Sequence, residues 1–127
     1  MQKNQTELEL PIDDWRNKVF SEPNKKIRLA TAFSGIGAIE HALVRLGLSH
    51  EIIFACDNDP FVKKSYMKNY AISESVWFDD ISKINSKKYK GKIDLFVGGS
   101  PCQSFSMVGK RKGLEDTRGT LFYDFAR

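Results

Sequence analysis

From Ile27 onwards, short apolar runs alternate with stretches whose apolar residues recur at helical spacing, and this alternation limits the fold more than any other feature. The apolar runs, which we predict to be strands, cover residues 27–33, 52–56, 76–78 and 93–97. The helical stretches cover residues 36–46, 60–70 and 120–127. Strand, helix, strand, helix, strand, strand, helix is the order of a doubly wound, Rossmann-like α/β sheet. In such a sheet, ligands bind at the carboxyl ends of the strands.

The chain divides into a lead-in and a main domain. Residues 1–26 are polar, and Ile12, Trp15 and Val19 recur at a spacing that suits a short amphipathic helix before a linker at 21–26. Residues 27–127 form the main domain. Its four predicted strands are few for this architecture, so we expect a partial, truncated sheet or one half of a two-part protein.

Composition excludes several classes of protein. The chain lacks an apolar run near the roughly 18–20 residues of a membrane span and has a polar N-terminus, so we expect a cytoplasmic protein, in a bacterial cytoplasm. Its two cysteines, Cys56 and Cys102, have no CxxC partner, which argues against a disulfide framework and against a metal site. The net charge of +4 is compatible with a polyanionic partner but is weak support for one.

A glycine turn follows the first predicted strand, in the sequence AFSGIGA at residues 32–38. Glycines there let the backbone approach a ligand closely, and Asp57 at the end of the second strand could accept hydrogen bonds from a ribose diol. A dinucleotide fingerprint would require a third glycine where Glu40 stands, and a carboxylate would fit poorly beside a pyrophosphate. The pattern therefore favours another nucleoside-containing cofactor, with a ligand-free tight turn as the alternative.

The sequence GGSPCQSFS at residues 98–106 follows the last predicted strand, so it should lie at the same edge. A cysteine in a polar, glycine-rich loop is a candidate nucleophile, although most lone cysteines are inert. Four cations follow Cys102 and could favour its thiolate or bind phosphates, unless they form only a solvated basic loop: Lys110, Arg111, Lys112 and Arg118. A third block, RGTLFYDFAR at residues 118–127, opens a helix whose backbone donors would face the same crevice.

Together these blocks closely resemble the cytosine-5 DNA methyltransferase family, over about residues 27–127. The resemblance implies an S-adenosylmethionine-dependent methyltransferase fold, with S-adenosylhomocysteine as product. It places the Phe33 ring against the adenine, Asp57 on the ribose hydroxyls and Asp80 at the adenine edge. The cofactor positions that it implies are Phe33, Ser34, Gly35, Ile36, Gly37, Asp57, Asn58, Asp80, Ile81, Gly99 and Leu121.

The resemblance also implies a reaction on double-stranded DNA. The Cys102 thiolate would add to carbon 6 of a flipped cytosine, so that carbon 5 takes the methyl group, with Pro101 and Gln103 beside the nucleophile. The loop from Ser104 to Arg118 would close over the DNA. Its expected DNA contacts are Ser104, Ser106, Lys110, Arg111, Lys112 and Arg118. Such enzymes often belong to restriction-modification systems.

The chain departs from the family pattern in having Ala38 for a third glycine, Asp57 where many members carry Glu, and Asn58 for a large apolar residue, and these changes should weaken cofactor binding modestly. The family's later motifs, among them a Glu in an ENV element and the target recognition region, have no match here. We therefore expect the chain to be inactive alone, to act with a second chain that carries those motifs, and to self-associate through an unpaired edge. The alternatives are a non-catalytic remnant that binds cofactor or a partner, and a tRNA cytosine-5 methyltransferase.

Overall fold

The protein is described by a computed structural model, which covers residues 21–101 and 117–127. The helix predicted around Trp15 lies outside these residues. The main elements are β1 (Ile27–Ala32), α1 (Ala38–Arg45), β2 (His50–Cys56), α2 (Pro60–Asn69), β3 (Trp77–Phe78), β4 (Leu95–Gly98) and α3 (Thr117–Ala126). Short 3-10 helices lie at Glu74–Val76, Ile81–Lys83 and Ser86–Tyr89. This element order confirms the predicted alternation of strands and helices.

The four strands form one parallel sheet in the order β3-β2-β1-β4. β1 is central, because it pairs with β2 on one side and with β4 on the other. The predicted α/β fold is thus confirmed. Strand order reverses between β1 and β4, and in open parallel sheets a crevice for ligands lies outside the carboxyl ends of the strands at such a point.

The helix α1 begins at Ala38, two residues later than its apolar spacing predicted. The cause is the backbone of the turn, since Gly35 (φ 55°) and Gly37 (φ 89°) are both left-handed and cannot belong to a right-handed helix. Ile36 between them is 65% exposed and packs against no core. Its apolar character made it look like the first residue of the helical stripe, and that prediction was wrong.

Two other predicted helix boundaries agree with the structure. Gly47 (φ 68°) ends α1 with the left-handed backbone typical of glycine after a helix. Asp59 caps α2, where its carboxylate accepts hydrogen bonds from the backbone N–H groups of Phe61 and Val62. Pro60 occupies the first turn, where a missing N–H costs nothing.

The core lies on both faces of the sheet. Alternate residues of β2 point to opposite faces, so that Phe54 joins one apolar cluster and Ala55 joins the other, which also holds Tyr66 and Trp77. β1 is buried from Leu29 onwards, as expected for a central strand. Among the described residues, no helix has the length and apolarity that a membrane crossing requires.

β4 begins at Leu95, two residues later than predicted, because the residue before it makes a different interaction. The Asp94 carboxylate accepts hydrogen bonds from the Arg28 backbone N–H at 3.0 Å and from the Arg28 guanidinium at 2.7 and 3.0 Å. These bonds hold the pKa of Asp94 well below its usual range. The pair joins the start of β1 to the start of β4.

Candidate functional site

The side chains that follow the strands converge at the carboxyl edge of the sheet. They enclose a cavity of about 310 Å³, which we call the β2–β3 cavity. It is lined by Phe33, Cys56, Asp57, Asn58, Asp79, Asp80, Ile81, Pro101 and Leu121. The structure therefore brings together six of the predicted cofactor residues and Pro101, which come from five separate parts of the sequence.

A second cavity of about 260 Å³ lies at the same edge, between the ends of β1 and β4, and we call it the β1–β4 cavity. Phe33 lines both cavities, so they are neighbours across its ring. The second cavity also contains the predicted residues Ser34 and Gly99. An elongated ligand could thus lie along the edge with one end in each cavity.

Phe33 reaches this position through a backbone angle that few side chains adopt. Its φ of 53° is left-handed, which costs a bulky residue about 1–3 kcal/mol. The next residue offsets this strain, because the Ser34 backbone N–H donates to the Cys56 carbonyl and the Ser34 hydroxyl accepts from the Cys56 N–H at 3.0 Å. Ser34 therefore ties the end of β1 to the end of β2.

Asp57 holds the glycine turn from the cavity side. One of its oxygens accepts the Gly35 N–H at 2.9 Å, and the other accepts the Asp59 N–H at 3.1 Å. A carboxylate has about four lone-pair sites, so sites remain for two hydroxyl donors of a ligand. The contact of Asp57 with a ribose diol stays a prediction.

Asp80, which also lines this cavity, has a similarly fixed carboxylate. One oxygen accepts the Ser82 hydroxyl at 2.7 Å and the Ser82 N–H at 2.9 Å. The Ser82 hydroxyl and then its N–H lower the pKa of Asp80, which is thus ionised at neutral pH. Ile81, next in sequence, is buried and offers an apolar surface to the cavity. The pair thus places a hydrogen-bond acceptor next to an apolar side chain in the cavity lining.

Cys56 and Asp79 line the same cavity but were not among the predicted site residues. Burial raises the pKa of Cys56 to about 12, so this thiol stays protonated and is unsuited to nucleophilic chemistry. Asp79 directly follows β3 and accepts the Trp77 ring N–H at 2.8 Å. Its position directly after a predicted strand is the sequence feature that could have identified it as a site residue. Within residues 21–101 and 117–127, no cluster of three or more potential metal ligands occurs.

Three predicted cofactor residues, Gly35, Ile36 and Gly37, line neither edge cavity. Ile36 and Gly37 face a separate groove, which they share with Tyr70. Glu40, which argued against a dinucleotide, is buried between α1, α2 and β1 rather than directed at either cavity. Its carboxyl group accepts hydrogen bonds from Thr31 and Tyr66. Of the turn residues 33–37, only Phe33 and Ser34 therefore line the two edge cavities.

The remaining predictions fall partly or wholly outside the described residues. Cys102 and Gln103 lie outside them, as do the loop positions Ser104, Ser106, Lys110, Arg111 and Lys112. The Arg118 backbone belongs to α3, but its side chain is not described. Pro101, immediately before Cys102, lines the β2–β3 cavity.

Comparison with known proteins relates this chain to cytosine-specific DNA methylases. The profile of the C-5 cytosine-specific DNA methylase family matches residues 27–127. The orphan methyltransferase M.SPRI of Bacillus phage SPR is 48% identical over 79% of this chain and 23% of its own length. The type II methyltransferase M.HpaII of Haemophilus parainfluenzae is 38% identical over 84% of this chain and 29% of its own.

Comparison with solved structures also finds a methyltransferase. The crystal structure of the S. pombe Dnmt2 methyltransferase superimposes with a TM-score of 0.61 and 27% identity, over 78% of this chain and 30% of that one. The chain thus spans less than a third of the length of each of these relatives.

Proposed function

The chain belongs to the C-5 cytosine-specific DNA methylase family, and on that premise we propose that it forms the cofactor-binding and nucleophile-bearing part of a DNA (cytosine-5) methyltransferase. The observation that carries the proposal is the β2–β3 cavity, which joins Phe33, two fixed carboxylates and Ile81 at the carboxyl edge of a parallel sheet. Because the chain spans 23–29% of the two curated relatives described above, activity of the whole enzyme is part of the proposal.

The residues of the cavity fit S-adenosylmethionine, which supplies the methyl group when bound. Asp57 has acceptor sites left beside the Gly35 and Asp59 N–H groups, and we assign it the ribose hydroxyls. Asp80 is fixed and ionised, so it can accept a hydrogen bond from the adenine amine. The Phe33 ring and Ile81 offer apolar surfaces to the base. The β1–β4 cavity would take the remaining, amino-acid end of the cofactor.

We propose Cys102 as the nucleophile, with Pro101 and Gln103 as its neighbours in sequence. Its thiolate forms a bond to carbon 6 of the cytosine, which makes carbon 5 nucleophilic. After carbon 5 has taken the methyl group, it loses its proton and the sulfur–carbon bond breaks, which frees the thiolate. A free cysteine has a pKa of about 8.5, so nearby positive charge such as that of Lys110, Arg111, Lys112 and Arg118 would favour the reactive form.

The substrate that we propose is double-stranded DNA, from which the target cytosine is flipped to expose carbon 6. The cations of the loop would then contact phosphates, together with Ser104 and Ser106. We further propose that the later motifs of the family act together with this part, either in the same polypeptide or in a second chain. The expected location is the bacterial cytoplasm, where its DNA substrate lies.

The proposal is tested by measuring transfer of a labelled methyl group from S-adenosylmethionine. We expect no transfer to DNA by the 127-residue chain alone. Adding the C-terminal part of the phage relative M.SPRI should produce transfer to duplex DNA, and a Cys102→Ala chain in the same mixture should produce none.

Each other outcome contradicts a different part of the proposal. Transfer by the chain alone would show that the later motifs are not needed. Transfer to tRNA in place of DNA would change the substrate. If no methyl transfer occurs with the C-terminal parts of several relatives, the chain is a non-catalytic remnant, which could still bind cofactor.

A further inference from the structure

Tyr70 contacts the glycine turn at Gly37, two residues after the Gly35 contact with Asp57. Its hydroxyl donates a hydrogen bond of 2.6 Å to the Gly37 carbonyl, which also accepts the N–H of His41 at the start of α1. Its ring lies so close that a Cβ atom built on Gly37 would be 2.2 Å from a ring carbon of Tyr70. The turn is therefore held by Asp57 through Gly35 and by Tyr70 through Gly37.

Tyr70 is itself supported by a fully buried polar group. Its ring lies 4.7 Å, centroid to centroid, from the ring of Tyr66. The Tyr66 hydroxyl donates to a Glu40 carboxyl oxygen at 2.6 Å, and Thr31 donates to the same oxygen at 2.9 Å. Burial, followed by the bond to Glu40, raises the pKa of Tyr66 above its usual value, so its hydroxyl keeps its proton and remains a donor. One carboxyl oxygen thus joins β1, α1 and α2.

The buried Glu40 carboxyl group lowers the stability of the fold compared with apolar packing in the same place. Glu40 and Tyr66 are both 0% exposed, and the second carboxyl oxygen of Glu40 has no hydrogen-bond partner among the described residues. Burying a polar atom without a partner costs about 1–3 kcal/mol, and apolar side chains would fill the same space without that cost. What the polar group adds is direction, because its bonds form only at one setting of α1 against β1 and α2.

We infer that Tyr70, supported by Tyr66 and Glu40, positions the glycine turn for the cofactor, an inference that rests on the proposed function. The Tyr70 bond to Gly37 sets the end of the turn, and the Asp57 bond to Gly35 sets its start. The turn held in this way directly follows Phe33 and Ser34, which line the two edge cavities. Tyr70 contacts neither cavity, so it acts through the backbone as a positioning residue.

The test removes the Tyr70 hydroxyl and keeps its ring. In the full chain, Tyr70→Phe should weaken binding of S-adenosylhomocysteine, measured by calorimetry, by roughly three- to tenfold, the usual value of one hydrogen bond. The matched control is Tyr89→Phe, since Tyr89 packs against Phe54 in the other apolar cluster and should keep the wild-type affinity. Tyr66→Phe, which breaks the bond to Glu40, should weaken binding in the same direction as Tyr70→Phe.

Hydrogen exchange separates this inference from the proposed function. Without any cofactor, Tyr70→Phe should speed exchange of the backbone amides of residues 35–37, while Tyr89→Phe should not. If the wild-type chain binds no S-adenosylhomocysteine, the proposed function is contradicted, and the exchange rates still decide whether Tyr70 holds the turn. A variant that loses only unfolding free energy, with wild-type affinity and wild-type exchange at residues 35–37, would overturn the inference.

Discussion

At the scale of single residues, the turn after β1 rests on backbone angles that most side chains avoid. Phe33, Gly35 and Gly37 are all left-handed, and Phe33 adopts this angle without the freedom that glycine has. The surrounding hydrogen bonds hold the turn in place: the Cys56 N–H donates to the Ser34 hydroxyl, and the Gly35 N–H donates to the Asp57 carboxylate. A residue held in a disfavoured conformation by its neighbours is typical of a binding site.

Gly37→Ala should destabilise the chain more than Gly47→Ala. Both glycines are left-handed, so each alanine costs about 1–2 kcal/mol in backbone strain. At Gly47 nothing lies within 4 Å of the added methyl group, whereas at Gly37 it meets the Tyr70 ring and adds about 1–3 kcal/mol. Urea unfolding of both variants measures the difference. Equal losses would mean that the Tyr70 ring moves aside at no cost.

The sequence predicted a nucleoside-binding role for the turn, but it did not predict the contact that Tyr70 makes with it. The glycine spacing and Asp57 predicted a nucleoside site, and the structure places Phe33, Asp57 and Asp80 around one cavity. From the sequence, Glu40 served only as an argument against dinucleotide binding, because it stands where the fingerprint requires a glycine. Nothing in the local pattern reveals that its partners are Thr31 and Tyr66, because a buried carboxyl group finds its donors through tertiary packing.

At the scale of secondary-structure elements, the predicted boundaries failed where a polar contact or a backbone angle overrode the apolar pattern. The apolar run from Ile93 suggested a strand, but Asp94 binds Arg28 and β4 starts at Leu95. The 3-10 helices at Glu74–Val76 and Ile81–Lys83 each follow a residue, Ser73 or Asp80, whose side chain accepts a hydrogen bond at the helix start. Such short caps are too local to appear in apolar periodicity.

The join between β1 and β4 should make stability depend on pH. Hydrogen bonds from Arg28 lower the pKa of Asp94 in the folded chain. In the unfolded chain, the pKa of an aspartate is about 3.9. The unfolded state therefore binds the proton first, and the stabilisation is present above about pH 4 and is lost as the pH falls below it. Asp94→Asn should be less stable than wild type at pH 6, and the two should converge towards pH 2 in urea unfolding.

Arg28→Gln is the partner variant for this measurement. It should flatten the acid dependence as Asp94→Asn does, and the double variant should lose little more than either single one. Because both side chains are partly exposed, high salt should also reduce the effect. An acid dependence that persists in both single variants would assign it to other carboxyl groups.

At the scale of the whole molecule, β4 is paired on one side only among the described residues. An apolar groove of about 260 Å³ adjoins it, lined in part by Phe54, Phe96 and Phe125. Phe96 is 39% exposed on β4, and Phe122 and Tyr123 are exposed on α3. The sequence predicted this free edge from the small number of strands, because parallel sheets are normally covered on both faces and extended on both sides of the first strand.

We therefore expect the isolated chain to self-associate. Light scattering should show an average mass that rises with concentration, because unpaired edges and exposed apolar surface favour contacts between copies. Phe96→Lys should reduce this association, since it places a charge on the edge strand. Phe61→Lys is the matched control, because Phe61 is exposed on α2 instead. A monodisperse wild-type monomer at high concentration would contradict the expectation.

The central position of β1 also has a consequence for how the chain is made. β1 leaves the ribosome before any of its partners, and Asp94, which binds Arg28 beside it, follows 66 residues later. At about 5–20 residues per second, the nascent chain carries an incompletely paired apolar strand for roughly 3–13 seconds. Folding during synthesis can therefore complete the β1–β2 pair early, but the carboxyl edge can close only after residues 95–98 have emerged. Chaperone contacts with the nascent chain should concentrate in that interval.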